Sequence, residues 1–202
     1  MKFRNLPLIA LASLLAVAAA DARAPQATPA PAPAQTTVLP NPTVGGAVMD
    51  PARPIAVNAA AAPNLSTLVT AVKAADLVAT LSGPGPFTVF APDNDAFSRL
   101  DPSTMTTLMK PTSKAALTKV LTYHVVPGAF TLADLKAKTT AGGGTATLAT
   151  VEGEPLSLTE AGGAYILTDT NGNKSYITTP DVRQSNGVVH VVNGVLIPKN
   201  LN

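Results

Sequence analysis

The hydrophobic pattern changes its period about halfway along the chain. In the first half apolar residues recur at helical spacing: Leu65, Leu68, Val69 and Val72 fall at i, i+3, i+4, i+7, and so do Leu117, Val120, Leu121 and His124. Asn64 stands where an N-cap would precede the first of these helices. That helix is expected to stop near Ala75-Asp76, with a shorter one over 77–81 before "SGPGP" breaks the chain. "FTVFA" (87–91) reads as a buried strand, and Asp93 as the cap of a helical start. Further helices are predicted after "DPS" (101–103) and over Ser113–Tyr123, the latter ended by Pro127-Gly128. Beyond that point "GGGTATLATV", "PLSLTE", "AYILTDTNGNKSYITT" and "GVVHVVNGVLIP" read as strands separated by Gly- and Asn-rich turns. Asn171-Gly172 predicts a two-residue hairpin. Helices gathered first and strands second imply an α+β fold, because a parallel βαβ series would interleave them.

The N-terminus carries a different message. Lys2 and Arg4 precede an uncharged apolar stretch from Leu6 to Ala20, followed by small-residue cleavage patterns at Ala20 or Ala22. This order of regions predicts a secretory signal over 1–22. The stretch contains Pro7 and is too short for the roughly 20 residues that span a bilayer. "APQATPAPAPAQ" (24–35) is a Pro-Ala tract that stays extended, since proline fixes φ and donates no backbone hydrogen bond. Residues 23–53 are therefore read as a flexible linker, and 54–200 as one globular domain. An exported chain without cysteine has neither disulfides nor thiolate metal sites, so the fold must stand on its core. Aromatic residues make up only 4% of the chain, so that core is expected to be aliphatic. Loss of Lys2 and Arg4 with the signal leaves 12 basic residues against 12 acidic ones, or 11 where cleavage after Ala22 also removes Asp21, with no basic stripe for a nucleic acid backbone.

The chain has two histidines, and one of them, His190, interrupts a valine run bracketed by Asn-Gly turns. On a strand His190 shares a face with Val188 and Val192, which predicts a buried ring. His124 lies on the apolar face of its helix. A buried imidazole left unpaired costs about 2–7 kcal/mol, so each ring is expected to be neutral and hydrogen-bonded. No H-x-x-x-H spacing, G-x-S-x-G elbow or Gly-Lys-Ser/Thr phosphate loop occurs. "AGGGTAT" (141–147) reads as a loop between strands. "DND" (93–95) lacks the glycine and late glutamate of a calcium loop, so helix capping is the better reading. Asn64-Leu65-Ser66 and Asn173-Lys174-Ser175 fit the glycosylation sequon, a short pattern that arises by chance. No catalytic residue, metal or cofactor is assigned. "TPDVRQSNG" (179–187) is expected to be an exposed connection into the last strand, and is the best candidate contact site.

"GPGPFTVFAPDNDAFSRL" (83–100), "LTYHVVPG" (121–128) and "SNGVVHVVNGVLIP" (185–198), in this order, resemble the signature boxes of fasciclin domains. The resemblance spans about Ile55 to Pro198 and occurs once. It implies a wedge of two β-sheets with helices packed around it, and non-enzymatic extracellular adhesion or binding. Within the last box Asn186, Gly187 and His190 are read as structural. At Asp76 the family usually has glycine, and aspartate is among the residues that best tolerate a left-handed backbone. In animal adhesion members a Pro-Asp-Ile segment and a Tyr-His region are associated with integrin binding; Pro180-Asp181-Val182 and Tyr123-His124 align with them here. The resemblance thus implies a monomeric binding module, secreted or periplasmic at the cell envelope. Its partner would be a protein or polysaccharide of the cell surface. The alternative is a structural envelope component without a saturable ligand.

Overall fold

The structure, a computed structural model, describes residues 41–201. The expected signal and the Pro-Ala tract lie outside the described residues. The described part begins with a short turn in which Val44 and Ala47 pair across Gly45-Gly46. Then come α1 (Ile55–Ala61), a 3₁₀ turn at Pro63–Leu65, α2 (Ser66–Ala74) and α3 (Val78–Ser82). Strand β1 (Phe87–Pro92) leads to α4 (Asn94–Ser98), α5 (Pro102–Leu108) and α6 (Lys114–Tyr123). After β2 (Val125–Pro127) and α7 (Leu132–Ala141) the chain is all strand: β3 (Thr145–Ala149), β4 (Pro155–Ala161), β5 (Ala164–Thr168), β6 (Lys174–Gln184) and β7 (Gly187–Val192).

The strands run in the order β2-β1-β7-β6-β5-β4-β3. Strand β6 makes two sheet halves out of this series. Its beginning pairs with β5 (Ile166 with Tyr176, Thr168 with Lys174), while its later residues pair with β7 (Val182 with Val189, Gln184 with Gly187). Only β1 and β7 are parallel. The α+β class is therefore present, with the two halves of one mixed seven-stranded sheet joined through one long strand.

Strand alternation sorts the core into two layers. Val89, Ala91, Val125, Val182, Val189 and Val191 point to one face, which α1–α6 cover with residues such as Ile55, Leu68 and Leu117. Phe90, Val126 and Val192 point to the other face. There they meet Leu148, Leu156, Leu158 and Leu167 of the second half, and Leu135 of α7. As expected, most of these side chains are aliphatic.

Local details depart from the sequence pattern in four places. Residues 41–53, expected as the end of the linker, lie on the domain: Val44 and Met49 are buried, and the Asn41 side chain bonds both the N–H and the C=O of Arg183. Asn64 does not cap α2. Asn94, from α4, accepts the Thr67 N–H at 3.0 Å and donates to the Pro63 carbonyl, so a residue distant in sequence does that work. Helix α7 precedes "AGGGTAT", which thus joins a helix to a strand. Its start is a capping box in which Thr131 and Asp134 exchange hydrogen bonds with each other's backbone. The hairpin at Asn171-Gly172 has three central residues, with Gly172 in the left-handed region that closes such a turn. Other expectations match: Asp93 caps α4, and Asp76 has φ 59° with its carboxylate on Lys114.

Candidate functional site

His190 sits on the inner face of β7, fully buried. Its neighbour on the parallel strand is Phe90, whose ring stacks on the imidazole with centroids 5.7 Å apart. The partner strand supplies the rest. Between Thr179 and Val182 strand β6 holds one residue more than β7 opposite it, a bulge that turns Asp181 to φ 59°. The bulge leaves the Asp181 N–H without a ladder partner, and His190 Nδ1 accepts it at 3.2 Å. His190 Nε2 donates to the Phe130 carbonyl at 2.9 Å. Both nitrogens are satisfied by the neutral ring with its proton on Nε2. Burial holds the ring's pKa below the usual histidine range, against smaller opposing effects of the Phe130 carbonyl and the Asp181 charge. The Asp181 carboxylate turns away and accepts the Leu132 N–H at 2.6 Å, at the first residue of α7. One imidazole and one carboxylate thus fix β6, β7 and the start of α7 together.

His124, at the end of α6, does a parallel task with the opposite tautomer. Its Nδ1 donates to the Val120 carbonyl at 2.7 Å and its Nε2 accepts the Leu196 N–H at 3.1 Å. Burial lowers its pKa to about 4; the Val120 carbonyl and the negative charge of Asp169 oppose that shift. The segment after β7 has no strand partner, so its N–H groups need other acceptors. His124 takes that of Leu196, Asp169 that of Ile197, and Glu154 those of Lys199 and Asn200. The buried Asp169 also accepts the N–H groups of Asn171 and Asn173, which winds its own turn. Next to His124, Tyr123 is fully buried and donates its hydroxyl to the Pro155 carbonyl at 3.0 Å; burial pushes its pKa up to about 12.

Asn186 is a third tie. Its side chain accepts the Ile55 N–H and donates to the carbonyls of Leu81 and Gly83, while its own carbonyl accepts the Phe87 N–H. Gly187 beside it lies so close to β1 that a Cβ would fall 1.9 Å from the Phe87 oxygen. The turn between β6 and β7 is therefore clamped to α1, α3 and β1.

The five candidate contact residues do not form one surface. Tyr123, His124 and Val182 are buried. Three strand spacings, about 14 Å, separate β2, which follows Tyr123-His124, from β6. Pro180 and Asp181 are half-exposed and lie within β6, not in a connection, because the strand continues through the bulge to Gln184. Beside the β6–β7 turn an open cleft of about 570 Å³ is lined by Arg183, Ser185, Asn186, Pro86 and Thr131 among others. Among the described residues no three His, Asp or Glu side chains converge on a point where they could share a metal ion. No single helix there is long and apolar enough to cross a membrane. Asp169 and Glu154 escaped the sequence reading, since each acts on a tail that returns only 28 to 46 residues later.

The fasciclin domain model matches residues 63–198, which include the three tying side chains His124, Asn186 and His190. The chain belongs to the fasciclin domain family. Protein sll1483 of Synechocystis is 44% identical over 155 residues, which is 77% of this chain and 79% of that protein. Immunogenic protein MPB70 of Mycobacterium bovis is 34% identical over 150 residues, covering 72% of this chain and 69% of that one. Among solved structures, a fasciclin domain pair from the insect cell adhesion molecule fasciclin I superposes with a TM-score of 0.64 at 21% identity, over 74% of this chain and 52% of that one. The fasciclin fold is thus shared with a cell adhesion molecule.

Proposed function

We propose that this fasciclin domain is a non-enzymatic binding module that acts outside the cytoplasm, secreted or periplasmic, and recognises a protein or polysaccharide of the cell surface. The observation that carries this reading is the employment of both imidazoles: each ring nitrogen is engaged with a backbone group inside the core. The shared fold with an adhesion molecule supports it. The contact is assigned to the half-exposed Pro180 and Asp181 with the neighbouring cleft, where Arg183 offers an exposed cation and Ser185 a hydroxyl. Tyr123, His124 and Val182 are buried and take no part in this surface.

The test is retention of the exported chain on envelope fractions and on isolated surface polysaccharide. Saturable retention that falls in Arg183→Ala, with an unchanged melting temperature, is expected. Asp181→Asn is the companion variant, because it keeps an acceptor for Leu132 while removing the charge. Co-fractionation with the envelope without saturation would favour the structural envelope component instead.

A further inference from the structure

A second site lies on the opposite side of the β1–β7 sheet from His190. The helices α1, α2 and α3 do not close fully over that face, and a cavity of about 340 Å³ remains between them and β1, β6 and β7. Its walls include Ile55, Leu68, Val72, Val89 and Val189, and the segment 41–53 adds Met49. Protein interiors normally leave few voids larger than a water molecule, whereas ligand pockets start at about this volume. Water gains little in such a space, which lacks the two to four polar partners it needs. His124 reaches the wall, but both its nitrogens are already bonded.

Two further observations say what fits. Among the described residues five large hydrophobic side chains are more than a third exposed, and three of them, Val57, Val78 and Val151, line this cavity. Single exposed valines are ordinary, but three at one opening continue the apolar wall into solvent. Lys73 is the single charged residue among those lining the cavity, is itself exposed, and has no ion pair among the described residues. We propose that this cavity binds a single-chain carboxylate amphiphile, with its hydrocarbon chain between the helices and the sheet and its carboxylate at Lys73. Nothing in the surface-contact reading above is needed for it.

Calorimetric titration of the exported chain with octanoate, dodecanoate and hexadecanoate tests the proposal. One ligand per chain is expected, with affinity rising about fourfold per methylene until the cavity is full, and with a negative heat-capacity change. Val69→Trp, which fills the space from α2, should abolish binding while the melting temperature holds. Lys73→Gln should weaken dodecanoate about fivefold, the worth of an exposed ion pair, and leave dodecanol unchanged. This second comparison decides the matter if the tryptophan variant does not fold. Absence of saturable binding at every chain length, or loss of dodecanol binding equal to that of dodecanoate in Lys73→Gln, would overturn the proposal. So would a dimer that Val69→Trp dissociates, or a cross-link from residues 1–40 into the cavity, since either would assign the space to another occupant.

Discussion

His190 holds two backbone groups that have no other partner, so its removal is costly. His190→Ala leaves the Asp181 N–H and the Phe130 carbonyl unpaired, roughly 1–3 kcal/mol each, and a void beside Phe90. Denaturant unfolding is expected to show a loss of about 3 kcal/mol or more. Asp169 is the less obvious counterpart. Asp169→Ala should cost about 3 kcal/mol and raise amide exchange at Ile197 together with Asn171 and Asn173, because one carboxylate serves all three. The burial of His190 was legible in the sequence, since its valine neighbours define its face. Its partners were not, because the bulge in β6 that determines which N–H lacks a ladder bond leaves no mark in the hydrophobic pattern. Asp169 was not legible at all, since nothing local signals that the tail comes back to it.

At the scale of elements, the strands and most helices follow from periodicity, while their joints follow from long-range partners. Helix α2 shows this. Asn64 had the right position in sequence, but Asn94 carries the bond, so Asn94→Ala should destabilise by about 1 kcal/mol and Asn64→Ala by less, measured by chemical unfolding. Helix α7 was missed because it buries only Leu135 and Thr139, too narrow a stripe for a clear helical period. Its capping box was the available signal. The stretch "TPDVRQSNG" reads in sequence as an exposed connection into the last strand, whereas β6 runs on through it although Pro180 cannot donate a ladder bond. The bulge resolves that conflict by removing Pro180 and Asp181 from regular pairing while β6 continues. Gly187→Ala at the next turn should prevent β7 from closing on β1, with loss of soluble, cooperatively melting protein as the readout.

For the whole molecule, the boundary drawn at residue 54 from composition fell inside the packed unit, because "TVGGAVMD" looks like linker and its two buried side chains are isolated in sequence. Met49→Ala is expected to cost about 2–5 kcal/mol, which a true linker residue would not. Acid stability reports on the same integrated core. The unfolded chain takes up protons on its histidines near pH 6.5, while the native His124 resists until about 4 and His190 is shifted in the same direction. The unfolded state therefore binds more protons in that window, and stability falls as pH falls from about 6.5 toward 4, by about 3 kcal/mol from His124 alone. His124→Gln should flatten the slope of the melting temperature between pH 7 and 5. The most direct test is a nitrogen-15 spectrum of both imidazoles recorded from pH 7 to 5. It should show His124 protonated at Nδ1 and His190 at Nε2, each neutral throughout; a ring that titrates near 6.5, or that exchanges between tautomers, would contradict the account.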